Sequence, residues 1–191
     1  LRDCVGGEIV ILDDSETVTA DRLRNCRVFI AASCESVFLR ECRDCVVYVA
    51  CKQLRTRDCR DCTVSLYCKT EPIIETSARM HFMPFLGACK GIKAAWKRAM
   101  LDVSCDKWNK LFDFNKGQEV DGLVTHYDIL PQSEWKEWAI GGEDAEQVRD
   151  PASLQSTPTS LPKPPPPTSP PHDEDGMMSF DIRTGQAAAE Q

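Results

Sequence analysis

No run of this chain is apolar for long enough to cross a bilayer, and no secretory signal opens it, so membrane-spanning and exported readings are set aside. A disulfide framework fits poorly as well, because eleven is an odd number of cysteines, and a reducing cytoplasmic setting suits them better. Excess positive charge is missing. The net charge is -7, and residues 141–191 hold 9 acidic against 3 basic side chains, leaving 21 acidic and 20 basic in residues 1–140. That nearly neutral body offers no electropositive face to a phosphate backbone, which argues against nucleic acid as a partner. There is no phosphate-cradling glycine loop. His81, His126 and His172 are scattered, with no Ser or Cys partner at the spacing of a hydrolytic triad.

Helical periodicity is also absent before residue 86. What stands there instead is a repeat. Ser36-Val37-Phe38-Leu39-Arg40-Glu41-Cys42-Arg43-Asp44-Cys45 aligns without a gap on Gln53-Leu54-Arg55-Thr56-Arg57-Asp58-Cys59-Arg60-Asp61-Cys62 at an offset of 17, and Thr17 to Cys26 precedes it at an offset of 19. Leu1-Arg2-Asp3-Cys4 matches Leu23-Arg24-Asn25-Cys26 at an offset of 22, and Ile73-Ile74-Glu75-Thr76 opens a further copy 20 residues after Leu54. Each unit holds two strand-sized runs separated by a polar corner, which predicts an all-β parallel β-helix of about five coils. Asp3, Asn25, Asp44 and Asp61 are expected at one corner, where short polar side chains bond the local backbone.

Residues 1–85 are therefore read as the β-helix. Residues 86–140, with a short helix over Lys93–Met100 and all four Trp, are read as a cap on its last rung. Residues 141–191, with Pro164-Pro165-Pro166-Pro167, form an acidic, Pro-rich tail expected to be disordered, in which Thr157-Pro158 and Ser169-Pro170 are candidate recognition or phosphorylation steps. The chain opens at Leu1 inside a repeat, so a preceding segment is expected, with any lipid anchor or membrane association it carries.

Two patterns compete for chemistry. Cys42-x2-Cys45-x13-Cys59-x2-Cys62 has the spacing of a four-thiolate zinc site, but the column of Cys42 and Cys59 holds Leu23 one copy earlier, and Leu cannot ligate a metal. Cys reads as a small buried hydrophobe stacked along the coil, and no metal is expected. The second pattern is a column running Thr19, Phe38, Arg55, Glu75 beside the apolar Val18, Val37, Leu54, Ile74. Alternation puts Gln53, Arg55 and Arg57 on one outward face. Arg57 shares its column with Asp21 and Arg40 and reads as part of a surface ladder. Arg55 follows Phe38, an apolar neighbour that a partner would cover, and Glu75 is expected to hold its guanidinium by a bidentate pair. In the cap, Trp108, Asp113 and Phe114 fit core packing, with Phe114 alternatively an exposed anchor.

Cys51-Lys52-Gln53-Leu54-Arg55-Thr56-Arg57-Asp58-Cys59 followed by Glu71-Pro72-Ile73-Ile74-Glu75 resembles the C-CAP domain family of tubulin-binding cofactor C, most nearly its retinitis pigmentosa 2 protein branch. The likeness runs from Leu1 to about Trp135 and continues through Trp108, Asp113-Phe114 and Leu130-Pro131. It implies a right-handed parallel β-helix that activates a GTPase, with Arg55 as an arginine finger, Gln53 beside the nucleotide and Glu75 orienting the finger. Phe114 would meet the GTPase, with Asp113, Phe38 and Arg57 on the partner-facing side. GTP and Mg²⁺ would belong to the partner, and this chain would bring no cofactor. The implied partner is an Arf-like small GTPase in its GTP form, in ciliary or flagellar trafficking of lipidated cargo. The alternatives are activation of tubulin as a folding cofactor, or a non-catalytic module that binds actin or tubulin. The chain departs from the resemblance at His126-Tyr127, where the family has a Trp, and in its tail, where the nearest branch has a nucleoside-diphosphate-kinase-like domain.

Overall fold

The computed structural model describes residues 1–150 together with Ser153 and Leu154. Strands β1 (Glu8–Ser15), β2 (Val18–Asp21), β3 (Arg27–Arg40), β4 (Val46–Arg57), β5 (Arg60–Cys68), β6 (Ile73–Glu75) and β7 (Ala78–Pro84) wind into a parallel β-solenoid of about four turns. β3 pairs with β1 and β2 on one side and β4 on the other, and β4 pairs in turn with β5 and β6. The fifth rung expected from the repeat is assembled from the cap. β9 (Phe112–Asp113) adds to β6, and β10 (Tyr127–Ile129) adds to β7.

Two corners in every coil let so short a unit turn. One column of residues with φ near +50° runs Asp3, Arg22, Glu41, Asp58, Thr76, and the other runs Gly6, Asn25, Asp44, Asp61, Arg79. Left-handed backbone costs roughly 1–2 kcal/mol per L residue. Cross-coil bonds offset it, such as Asp3 N–H to the Asp21 carbonyl at 3.0 Å and Arg22 N–H to that of Arg40 at 2.8 Å. Arg22 grips Asp3 at 2.6 and 2.8 Å, and Arg79 grips Asp61 at 2.6 and 3.0 Å. The single corner expected for Asp3, Asn25, Asp44 and Asp61 is thus two corners: the Arg2–Asp21 and Val5–Arg24 bridges set the first coil at an offset of 19, and Asp3 joins Arg22. Short polar residues recur at both bends because both need the same backbone conformation.

Inside the coil the alternating residues Val37, Leu39, Leu54 and Ile74 are buried, each worth about 1.5–3 kcal/mol on leaving water. Cys42 stacks on Cys59 and Cys45 on Cys62, with Sγ atoms donating to backbone carbonyls such as Cys59 to Leu39 at 3.4 Å. Among the described residues all eleven cysteines are free thiols, and no group of three or more His, Cys, Asp or Glu could hold a metal ion. The same set contains no helix long and apolar enough to cross a membrane.

A second core lies outside the coil and explains why the runs Val28–Ala32 and Val46–Cys51 are apolar without a break: these strands are covered on both faces. Outward-facing Phe29, Tyr48 and Tyr67 pack beneath Trp96 of α1 (Ile92–Arg98) and Trp138 of β11 (Trp138–Ile140). β11 runs parallel to β8 (Gly87–Cys89), and β12 (Glu146–Gln147) joins β8 antiparallel. The polar atoms of this second core reach backbone across the seam: Trp96 Nε1 donates to the Ala31 carbonyl at 2.9 Å, Tyr48 Oη to that of Lys136 at 2.8 Å and Tyr67 Oη to that of Asp102 at 2.7 Å. Past residue 140 a short 3₁₀ turn at Gly142–Asp144 leads into β12, which pairs with β8. Pro164–Pro167, Thr157-Pro158 and Ser169-Pro170 lie outside the described residues.

Candidate functional site

The solenoid face left open by the cap is built from the outward residues of β2, the second half of β3, the second half of β4, β6 and β9. Register makes the central column Thr19, Phe38, Arg55, Ile73, Phe112. The Thr19-to-Arg55 part is as expected from the repeat. Beyond Arg55 the register differs by two residues: Arg55 lies opposite Ile73, and Glu75 lies opposite Arg57. The cause is the wide turn after β5, where Lys69 and Thr70 N–H groups bond the carbonyls of Cys51 and Lys52 and hold Pro72–Glu75 two places along. A shift of two preserves which side chains face in, so Ile74 is still buried.

The expected Arg55–Glu75 pair is therefore not made. Among the described residues the side chains of Gln53, Arg55 and Glu75 have no hydrogen bond or ion pair. Arg55 is exposed, Gln53 is half-buried two residues before it, and Arg57 reaches Asp58 at 3.5 Å. Nearby arginines are tied down. Arg40 donates to Asp21 at 2.6 and 2.9 Å, and those hydrogen bonds hold the Asp21 carboxyl below the usual carboxylate range. Arg24 and Arg43 likewise have no side-chain hydrogen bond or ion pair among the described residues, but they lie on neighbouring rungs between the two corners. Arg55 differs in standing between two half-buried apolar residues, Phe38 and Ile73, which flank its aliphatic stem.

The aromatic edge follows at once. Phe112 is 50% and Phe114 61% exposed, their rings edge to face at 5.8 Å, and β9 fixes them through Phe112 N–H to Pro72 and Phe114 N–H to Ile74 carbonyls. Phe114 is thus exposed and not a core residue. Asp113, between the two, alternates inward: its side chain is 8% exposed and faces buried His126. It does not lie on the surface where Phe38, Arg57 and Phe114 are displayed. Trp108 packs against Trp135 in the cap. Sequence reasoning passed over Phe112, although its alternation with Phe114 about Asp113 was a usable signal. It also passed over Ile73 as the neighbour of Arg55, and over His126, for which no periodicity existed to find it.

The arrangement is an unneutralised guanidinium with five donors, set in an apolar rim. It can deliver a permanent positive charge to an anion carried by another molecule.

A profile of the family described as Tubulin binding cofactor C matches residues 1–114, a stretch that holds Gln53, Arg55, Glu75 and Phe114 but ends before His126. The tubulin-specific chaperone C of Mus musculus is 32% identical over 135 residues, covering 70% of this chain and 39% of that protein. The tubulin-folding cofactor C of Arabidopsis thaliana is 29% identical over 113 residues, covering 59% of this chain and 32% of its own. The chain thus spans well under half the length of these relatives. A solved structure of tubulin binding cofactor C from Leishmania major superposes with a TM-score of 0.59 at 22% identity, over 69% of this chain and 88% of that one, a likeness of fold.

Proposed function

The chain belongs to the tubulin binding cofactor C family, and from that premise we propose that it acts on tubulin as a folding-cofactor module, raising GTP hydrolysis through Arg55 supplied in trans. The observation that carries this reading is that Arg55 is exposed and unpaired inside an apolar rim, whereas Arg22, Arg40 and Arg79 are each spent on a carboxylate.

Phosphoryl transfer spreads charge over the oxygens of the departing γ-phosphate, and the protein mainly stabilises that charge. An arginine brought by a second protein contributes about 10³ to 10⁵ in rate, or roughly 4–7 kcal/mol of barrier. Its benefit depends on arriving already extended. Here the extension comes from Phe38 and Ile73 on either side of the stem. Glu75 beside Arg57 keeps acid at hand without neutralising the finger, and Gln53 adds an amide on the same face. The nucleotide, Mg²⁺ and the attacking water would sit on the partner.

The test is single-turnover GTP hydrolysis by tubulin, with a panel of Arf-like GTPases in parallel, using wild type and Arg55→Ala. Tubulin hydrolysis should accelerate with wild type and lose at least about a hundredfold of that stimulation with Arg55→Ala, while complex formation persists. Stimulation that survives Arg55→Ala refutes the finger. Stimulation of an Arf-like GTPase alone moves the assignment to that partner, with the ciliary setting its resemblance implies.

A further inference from the structure

The aromatic edge beside Arg55 is carried by a long excursion, residues 112–126, that needs something to hold it at a fixed angle. Backbone pairing of β9 with β6 covers two residues only. Beyond it, the Thr76 N–H donates to Asn115 Oδ1 at 2.7 Å, Arg79 and Arg60 reach Asp121 at 2.6 and 3.4 Å, and Asp113 and His126 join the two ends. Asp113 Oδ1 accepts from the Asn115 N–H at 3.0 Å, and Asp113 Oδ2 lies 2.8 Å from His126 Nδ1. His126 Nε2 lies 3.1 Å from the carbonyl oxygens of both Gln118 and Leu123. One ring thus ties the start, the middle and the end of the excursion. It is itself 1% exposed.

The hydrogen-bond inventory fixes one proton of the ring. Carbonyl oxygens only accept, so Nε2 carries a proton, and the contact between Nδ1 and Asp113 Oδ2 closes with its shared proton on either atom. Every polar atom of the pair is then bonded. Removing either partner leaves the other's polar atoms unpaired inside the protein, which is costly.

We propose that the hydrogen-bonded pair of His126 and Asp113 is a positioning device that presents Phe112 and Phe114, with Phe38 and Ile73, as the docking rim for the protein that receives Arg55. This rests on the proposed function for the identity of the guest, a nucleotide-bearing protein with an apolar surface beside its γ-phosphate. That choice follows from complementarity: a lone guanidinium between apolar anchors matches an anionic phosphate at the edge of an apolar patch. Neither His126 nor Asp113 touches the guest. Both act through the two phenylalanines.

Asp113→Asn separates this device from general folding. An asparagine can turn its Oδ1 to the Asn115 N–H and donate from Nδ2 to an unprotonated Nδ1, so the bonds close again around a neutral ring. ¹⁵N spectra of the full chain, recorded at the pH of the hydrolysis assay, should show His126 protonated at Nε2 in both wild type and Asp113→Asn. Amide hydrogen exchange over residues 112–118 should match wild type in Asp113→Asn and run at least about tenfold faster in His126→Ala and Asp113→Ala. In the tubulin assay, those two alanine variants should raise the half-saturating concentration about tenfold or more and keep the plateau rate, whereas Arg55→Ala lowers the plateau. A wild-type ring without a proton on Nε2, or unchanged exchange over 112–118 in His126→Ala, overturns the positioning claim. An absence of stimulation by wild type, with the spectra and exchange as expected, removes the proposed function and leaves the pair's hold on the edge intact.

Discussion

Thr56 occupies the inward column between Leu39 and Ile74, where its neighbours are aliphatic, and it is 1% exposed. Its hydroxyl has one partner, the Ile73 carbonyl at 3.5 Å, which is at the outer limit of a hydrogen bond. Burying a hydroxyl that is poorly bonded costs about 1–3 kcal/mol, and a bond this long returns only part of the ~0.5–1.5 kcal/mol of an ordinary one. Thr56→Val replaces that oxygen with a methyl of nearly the same shape. The balance predicts a gain of about 1 kcal/mol, or a rise in Tm of roughly 2–4 °C for a folded body of this size. Thr56→Ser keeps the hydroxyl and drops the methyl, so it should lose about 1 kcal/mol. Urea titration with a common m-value is the assay. If the valine variant is less stable by more than about 0.5 kcal/mol while serine is neutral, the hydroxyl supports the coil and the reasoning fails.

Two further substitutions probe packing and charge. An added Cβ at Gly87 would stand 2.5 Å from Phe85 Cζ and 2.7 Å from Phe29 Cε2, rings already packed against Trp96 and Trp138 respectively, so Gly87→Ala should cost about 1–3 kcal/mol, seen as a lower urea midpoint. Asp21 titrates below its unfolded value of about 3.9 because Arg40 bonds its carboxylate, so its stabilisation is complete above that value and fades as pH falls through the folded one. The stability gap between wild type and Asp21→Asn should therefore shrink below about pH 4, and a gap constant with pH would contradict the ion pair's role.

The pairing of Val37 with Leu54 and of Phe38 with Arg55 was legible because consecutive copies align at 17 residues without a gap, and alternation then sorts inside from outside. The Glu75 assignment failed at a turn. The residues around Cys68–Pro72 set their register through backbone bonds that leave no trace in side-chain pattern, and parity survived while the neighbour changed. The same limit hid the first coil's true offset, since Asp3 and Asn25 are alike in kind but sit at different bends. Unbroken apolar runs in β3 and β4 did carry a sign of burial on both faces, although which residues cover them depends on contacts between Phe29 and Trp138 far apart in the chain. The His126–Asp113 pair was invisible because it belongs to an irregular excursion, where spacing carries no information.

The cap has a mechanical consequence for the whole body. A stack in which each coil touches only the next behaves as a zipper, free to peel from either end. Here Arg98 of α1 reaches back to Asp14 in β1 at 2.7 Å, Trp96 to Ala31, and Trp138 lies 4.2 Å from the Arg27 guanidinium. Segments late in the chain thus clasp its first coils lengthwise. Peeling the first coil must break that clasp, which joins separate rungs into one cooperative unit.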